Sequence, residues 1–509
     1  MNLIEIPKKN KEDCINSFTN FILKDYNIDN LYKLSMIGEL GEKNIRGIAW
    51  KIFMEVLPVN DSIEKWVEKL QYLREEYKIL SDKMTKKQNF FKKEEENKKE
   101  KENIKDLNNI KIRKNSLLTN PYHEEKETKK LINLDLNRTF QELALFHNEE
   151  IKNKLSRILF IWDNENPDLG YQQGMNDIVS IIFLCLYPYY FPNEKKISME
   201  SIIKNKEKIN KIENSEILYF FFHDEEEFES DLYICFNSMM KKGVKSLYDF
   251  DFESKDKQID YMKKILLFKN EFNLEKEELD SPLNIRCNMI IKEKLKKLDY
   301  ELYNHFNKIG LDCTVFLQRW LKCVFNREFE LKDVLIIWDA VIAFPEIQKG
   351  YNLSKIDLIA LSMILRIRNI LILCDQNQCF MMLLQYPRIE SILELIIFSD
   401  KLKEAIEDII KGRRSLFLEN VKNFIINYNN NNNSNGNKNE DNKNKNSKNN
   451  TYDNINLNNN DDNKEISPIK NYEEGVERLG NIFIKYHSQM SISDEKEFLN
   501  ILHFFNNYK

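Results

Sequence analysis

Apolar residues in this chain return every three or four positions and almost nowhere every two. That spacing gathers them on one side of an α-helix and leaves little of the alternation a half-buried strand needs. Ile151, Leu155, Ile158, Leu159 and Trp162 form one such stripe. Leu331, Val334, Leu335, Trp338 and Ile342 form another, with Phe316, Trp320, Val324 and Phe325 on the element before it. The run from Ile356 to Cys374 is apolar on more than one face and reads as a mostly buried helix. Only 12 glycines occur in 509 residues, so few tight turns can be built and long helices are favoured. The expected fold is all-α.

Polar stretches interrupt this pattern. Residues 85–115, 194–214 and 243–280 are rich in lysine and glutamate, and read as insertions, the first a solvated helix or a disordered loop. The asparagine-rich tract 428–463 has too little apolar surface to offset the entropy of ordering itself. Beyond it, 473–507 regains a helical stripe through Val476, Leu479, Phe483 and Tyr486, and Asp494 with Glu497 suits a capping box. The expected organisation is a helical lead-in over 1–39, one large domain over 40–425, a linker, and a short helical segment.

Composition excludes several function classes. Hydrophobic residues at 42% and charged residues at 31% give a soluble, globular balance, and a formal net charge of −5 makes no case for a nucleic-acid partner. The eight cysteines show no metal-ligand spacing and sit among apolar residues, as buried thiols do in a reducing cytoplasm. The most apolar run, Ile178 to Phe191, is too short to span a bilayer, and the first residues lack a signal-peptide core. No phosphate-binding glycine loop, nucleophile elbow or HExxH helix is present, and the six histidines are scattered. The run Asp224 to Glu227 beside His223 has no turn pattern and reads as a solvated helix start, so no metal site is expected. This chemistry does not describe a self-contained hydrolase or kinase.

What stands out is a set of short segments in a fixed order. Arg46-Gly47-Ile48-Ala49-Trp50 comes first, then Ile132-Asn133-Leu134-Asp135-Leu136-Asn137-Arg138, then Tyr171-Gln172-Gln173-Gly174-Met175-Asn176-Asp177. Phe316 to Trp320, Arg327-Glu328-Phe329 and Trp338-Asp339 follow. Taken alone, Asp135 and Arg138 would be a solvated helical salt bridge and Gln173 a turn residue of no interest. Gln173 follows the turn formers Asn166 to Gly170, so it closes a loop that enters the helix beginning near Met175. Gly174 would allow a close backbone approach, and Asn176 would cap that helix or touch a partner.

In this order the segments resemble the TBC family of activators of Rab GTPases, over about residues 40–425. The stretch Glu301 to Phe344 is most similar to that family's retromer-associated, endosomal subgroup. The resemblance implies that Arg138 is an arginine finger and Gln173 a glutamine finger, both inserted into another protein's GTP site. Ile132, Asp135, Tyr171, Gly174 and Asn176 would support them or contact the partner. Arg46, Trp50, Trp338 and Asp339 would be structural, the tryptophan in the core and the arginine paired to an acid. A GTP-loaded Rab-type GTPase is the implied partner, with a retromer-like coat beside it. GTP and magnesium would be bound by the GTPase, and this chain would need no cofactor. The alternative is a scaffold that binds a Rab or a coat without catalysis.

Overall fold

The computed structural model describes residues 3–105, 121–192, 194–196, 213–222, 225–241, 243–248, 281–343 and 354–410. Nearly all of their regular structure is helical, and the extended pairing recorded among them is an isolated parallel bridge between Ile4 and Leu143. The helices are α1 (Lys11–Phe18), α2 (Ile28–Met36), α3 (Arg46–Phe53), α4 (Ile63–Lys105), α5 (Pro121–Asn137), α6 (Glu149–Glu165), α7 (Met175–Leu186), α8 (Asn214–Phe221) and α9 (Glu225–Lys241). They continue as α10 (Pro282–Asn288), α11 (Tyr300–Lys308), α12 (Thr314–Lys322), α13 (Leu331–Ala343), α14 (Ser354–Arg366), α15 (Arg368–Leu371), α16 (Gln376–Leu384) and α17 (Ile392–Ile410), with a three-residue turn of helix at Lys296–Leu298 before α11.

The described residues gather into two compact units. The first takes those up to Cys287 with Leu317–Ala360 and Ile392–Ile397, and the second takes Asn288–Phe316, Leu361–Ser391 and those from Phe398. In the first unit α9 packs on α4, α6 and α7, α5 packs on α6 and α7, and α13 packs on α2 and α3. α7 is buried along its whole length, which explains why its sequence is apolar all round. In the second unit Asp375 caps α16 by accepting from Gln378 N at 2.8 Å, and Gln378 Oε1 accepts from Asp375 N at 2.9 Å. That reciprocal pair satisfies two helix-end donors at once.

Of the two readings given to the first insertion, helix is the one seen over 85–105, which continue α4, while other elements differ from the sequence reading. The stripe through Phe316 and Trp320 does not carry on to Val324 and Phe325, because α12 stops at Lys322 and both residues take positive φ, 46° and 61°. They remain fully buried there, and Trp338 Nε1 donates to Val324 O at 3.1 Å, so packing imposes a conformation that large side chains disfavour. The run Ile356 to Cys374 is two helices, broken at Ile367. All eight cysteines are buried and none is in a disulfide. Among the described residues, no helix is long and apolar enough to cross a membrane. The asparagine-rich tract, the segment 473–507, His223, Asp224 and most of the two later insertions lie outside the described residues.

Candidate functional site

The site begins at the end of α5. Ile132 and Leu136 are buried at the base of this helix, with 0% and 2% exposure, and fix which face turns inward. Asp135 lies on that inner side and is almost fully covered. The helix ends at Asn137, so Asp135 and Arg138 meet across a terminal turn rather than within a helix, with Arg138 N donating to Asp135 O at 3.2 Å. The Arg138 guanidinium contacts Asp135 Oδ1 through Nη2, while its side chain stays 52% exposed. The backbone turns sharply just afterwards, at Phe140, where φ is 45°.

Gln173 arrives from a second direction. The loop after α6 closes with Gly170 N donating to Asn166 O at 2.8 Å, and Tyr171 N donates to Asp163 Oδ1 at 2.7 Å. Burial pushes the Asp163 carboxyl up from its ordinary value, and the Tyr171 amide opposes that. Gly174, at φ 109°, is the N-cap of α7. A Cβ there would meet Tyr248 Oη at 3.1 Å and the Lys322 backbone oxygen at 3.4 Å, so backbone passes where a side chain would not fit. Gln173 itself is exposed, and among the described residues no hydrogen bond holds its amide.

A ring of buried polar groups joins the two segments. Tyr171 Oη donates to Asp135 Oδ2 at 2.8 Å and lies 3.3 Å from Asn176 Oδ1. Asn176 Nδ2 donates to Thr139 Oγ1 at 2.8 Å, and Thr139 Oγ1 donates to Asp135 O at 2.8 Å. Asn176 Oδ1 also accepts from Gly174 N at 3.0 Å. Asn176 is therefore inside the first turn of α7 and not its cap, because Gly174 already holds that position. Tyr171, Asp135, Thr139 and Asn176 are all buried, whereas Arg138 and Gln173 project from them. Two clefts of ≈ 580 and ≈ 600 Å³ lie along α4, and neither is lined by Arg138 or Gln173. The pair stands on a surface, suited to entering a cleft of another molecule.

A profile of the Rab-GTPase-TBC domain matches residues 43–276 and 267–372. The chain belongs to this family. TBC1 domain family member 5 of Mus musculus is 28% identical over 362 residues, which is 71% of this chain and 40% of that protein. TBC1 domain family member 5 homolog B of Dictyostelium discoideum is 25% identical over 471 residues, 76% of this chain and 43% of the other. GTPase-activating protein GYP1 of Saccharomyces cerevisiae is 24% identical over 349 residues, 68% and 42% respectively. The chain thus spans about two fifths of the length of these curated relatives. Among solved structures, the Ypt/Rab-GAP domain of Gyp1p aligns over 78% of this chain and 98% of its own, at 18% identity and a TM-score of 0.49.

The remaining motif residues of the TBC domain form a separate anchor. Arg46 Nε lies 2.9 Å from both oxygens of Asp339, and Trp50 Nε1 donates to Asp339 Oδ1 at 2.7 Å. Trp50 stacks on Trp338 with ring centroids 5.8 Å apart. Burial pushes the Asp339 carboxyl up, while Arg46 and Trp50 stabilise its ionised form. These residues tie α3 to α13 and stay clear of the exposed pair.

Sequence reasoning passed over two contributors. Thr139 belongs to the ring described above, and Asp177 ties α7 to the turn after α12. Asp177 accepts from Arg327 Nη2 at 2.8 Å, Asn326 Nδ2 at 3.2 Å and Cys323 Sγ at 3.3 Å. Burial raises the Asp177 carboxyl, and Arg327 opposes that rise. Both Asp177 and Arg327 stand in the ordered motif segments, which was the available signal, but they are 150 positions apart.

Proposed function

We propose that this TBC domain activates a GTP-loaded Rab-type GTPase, supplying Arg138 and Gln173 in trans. During hydrolysis water attacks the γ-phosphate and negative charge moves toward the β–γ bridging oxygen. The Arg138 guanidinium, always protonated and planar, neutralises that charge. The Gln173 amide orients the attacking water through its donor and acceptor. GTP and magnesium stay on the GTPase, and this chain contributes no cofactor. The observation carrying the reading is that the two exposed side chains spring from one buried ring through Asp135 and Tyr171. Pre-set geometry of this kind spares the complex the cost of ordering both groups at the moment of reaction.

Family membership and the similarity to GTPase-activating protein GYP1 support the same reading. In this reading the activity is exerted on endosomal membranes, reached through the GTPase or a retromer-like coat; the similarity to TBC1 domain family member 5 and the Glu301 to Phe344 stretch support it.

Single-turnover GTP hydrolysis across a panel of Rab-type GTPases tests it. Wild type accelerates at least one, and Arg138→Ala loses roughly 10³–10⁵ of that acceleration. Gln173→Ala lowers it as well, without loss of binding. Binding of a GTP-loaded GTPase with no change in its hydrolysis rate would replace catalysis with the scaffold reading.

A further inference from the structure

Among the described residues, eleven large apolar side chains are exposed; two of them precede Arg138 on α5 and two more lie on a segment paired to the chain that follows it. Leu131 and Leu134 are 47% and 57% exposed on α5, seven and four residues before Arg138, on the side opposite buried Ile132 and Leu136. Leu131 and Leu134, three residues apart within α5, share a helical face, and helical side chains lean toward the N-terminus. Leu131 and Leu134 therefore form a stripe running away from the arginine. The other two, Leu3 and Ile4, are 41% and 55% exposed. They lie on an extended segment paired to the chain just past Arg138, with Ile4 N donating to Glu142 O at 2.8 Å and Ala144 N donating to Ile4 O at 2.9 Å. Two stretches far apart in sequence thus bring bare apolar side chains to the segments that lead into and out of one arginine.

We propose that Leu131 and Leu134, with Leu3 and Ile4 on the segment paired to 142–144, form an apolar rim that docks the GTPase surface bordering its nucleotide. This rests on the activating role given above. A protein whose cleft receives Arg138 comes up against the last turn of α5, which carries Leu134 four residues before the arginine. Isolated exposed leucines need no explanation. Four on the segments next to one inserted side chain match the centre of an interface, where apolar contacts exclude water from the buried charge. The rim supplies ground-state affinity and the arginine supplies transition-state stabilisation, so the two separate kinetically.

The test compares wild type, L131Q/L134Q, L3Q/I4Q and Arg138→Ala on the GTPases that wild type binds or accelerates. Single-turnover titration gives kcat and KM, and calorimetry with the GTP-loaded GTPase gives Kd. Glutamine keeps helix propensity at exposed positions, and circular dichroism with thermal melting confirms the fold. The expected result for L131Q/L134Q is a rise of about tenfold or more in KM and Kd, with kcat held within twofold, whereas Arg138→Ala loses kcat. Unchanged Kd and KM in both glutamine pairs would overturn the rim. Wild-type binding without acceleration would defeat only the catalytic reading, since the loss of affinity in L131Q/L134Q is still read by Kd. A wild type that neither binds nor accelerates any GTPase would defeat both.

Discussion

The Tyr171 hydroxyl donates to Asp135 Oδ2 at 2.8 Å, while the other oxygen of that carboxylate contacts Arg138. One buried carboxylate therefore serves the segment that carries the arginine and the loop that carries the glutamine. Burial pushes the Tyr171 phenol well above its ordinary range, so it remains a donor at any physiological pH.

Tyr171→Phe removes this link and leaves Asp135 with fewer partners. The expected loss of stability is about 1–2 kcal/mol, read by urea denaturation. In single-turnover assays kcat falls about tenfold with KM little changed, because a misplaced reacting group costs rate rather than binding. An unaltered kcat would mean that the ring does not position either side chain.

Gly174→Ala strains the backbone at φ 109° and brings a methyl group to 3.1 Å from Tyr248 Oη. A left-handed conformation costs a side chain about 1–2 kcal/mol. The relief available is movement of the loop, which displaces Gln173, so acceleration falls alongside the thermal midpoint. Retention of full activity with a lowered midpoint would separate the glycine from the function.

Asp339→Ala leaves the Arg46 guanidinium without its carboxylate in a site where its side chain is only 12% exposed. Removing one partner of a buried pair costs about 3–5 kcal/mol. The loss is expected in equilibrium unfolding, with any surviving folded protein still able to accelerate hydrolysis, since the pair lies apart from Arg138.

Asp231 predicts an acid-dependent loss of stability. It accepts from Lys51 Nζ at 2.7 Å and from Arg74 Nε at 2.8 Å, all deep in the core. Burial alone would raise its pKa, but Arg74 and then Lys51 hold it down at about 2, below its ordinary 3.8. The folded state therefore binds this proton less readily than the unfolded one. Its contribution is full above pH about 4 and is lost as pH falls through about 2, on the order of 2 kcal/mol. Urea titrations between pH 5 and 2 would show that slope, and a flat profile would contradict it.

Much of this protein is visible in the order of its residues, because the signals are local. A period of three to four residues is a property of neighbours, so it identifies α6 and α13 without reference to anything they touch. Ile132, Asp135 and Arg138 fall within seven positions, and Gln173 stands beside its own turn, which makes the paired segments readable. Tertiary packing decided the rest. Asp339 rather than another acid neutralises Arg46 from 293 positions away, and Asp177 meets Arg327 across 150. Val324 and Phe325 leave the helical stripe for positive φ, against their own preference. Each of these outcomes depends on which helices close together and exclude water. A buried charge must find whatever counter-charge the packed helices present, and no window of sequence holds both partners.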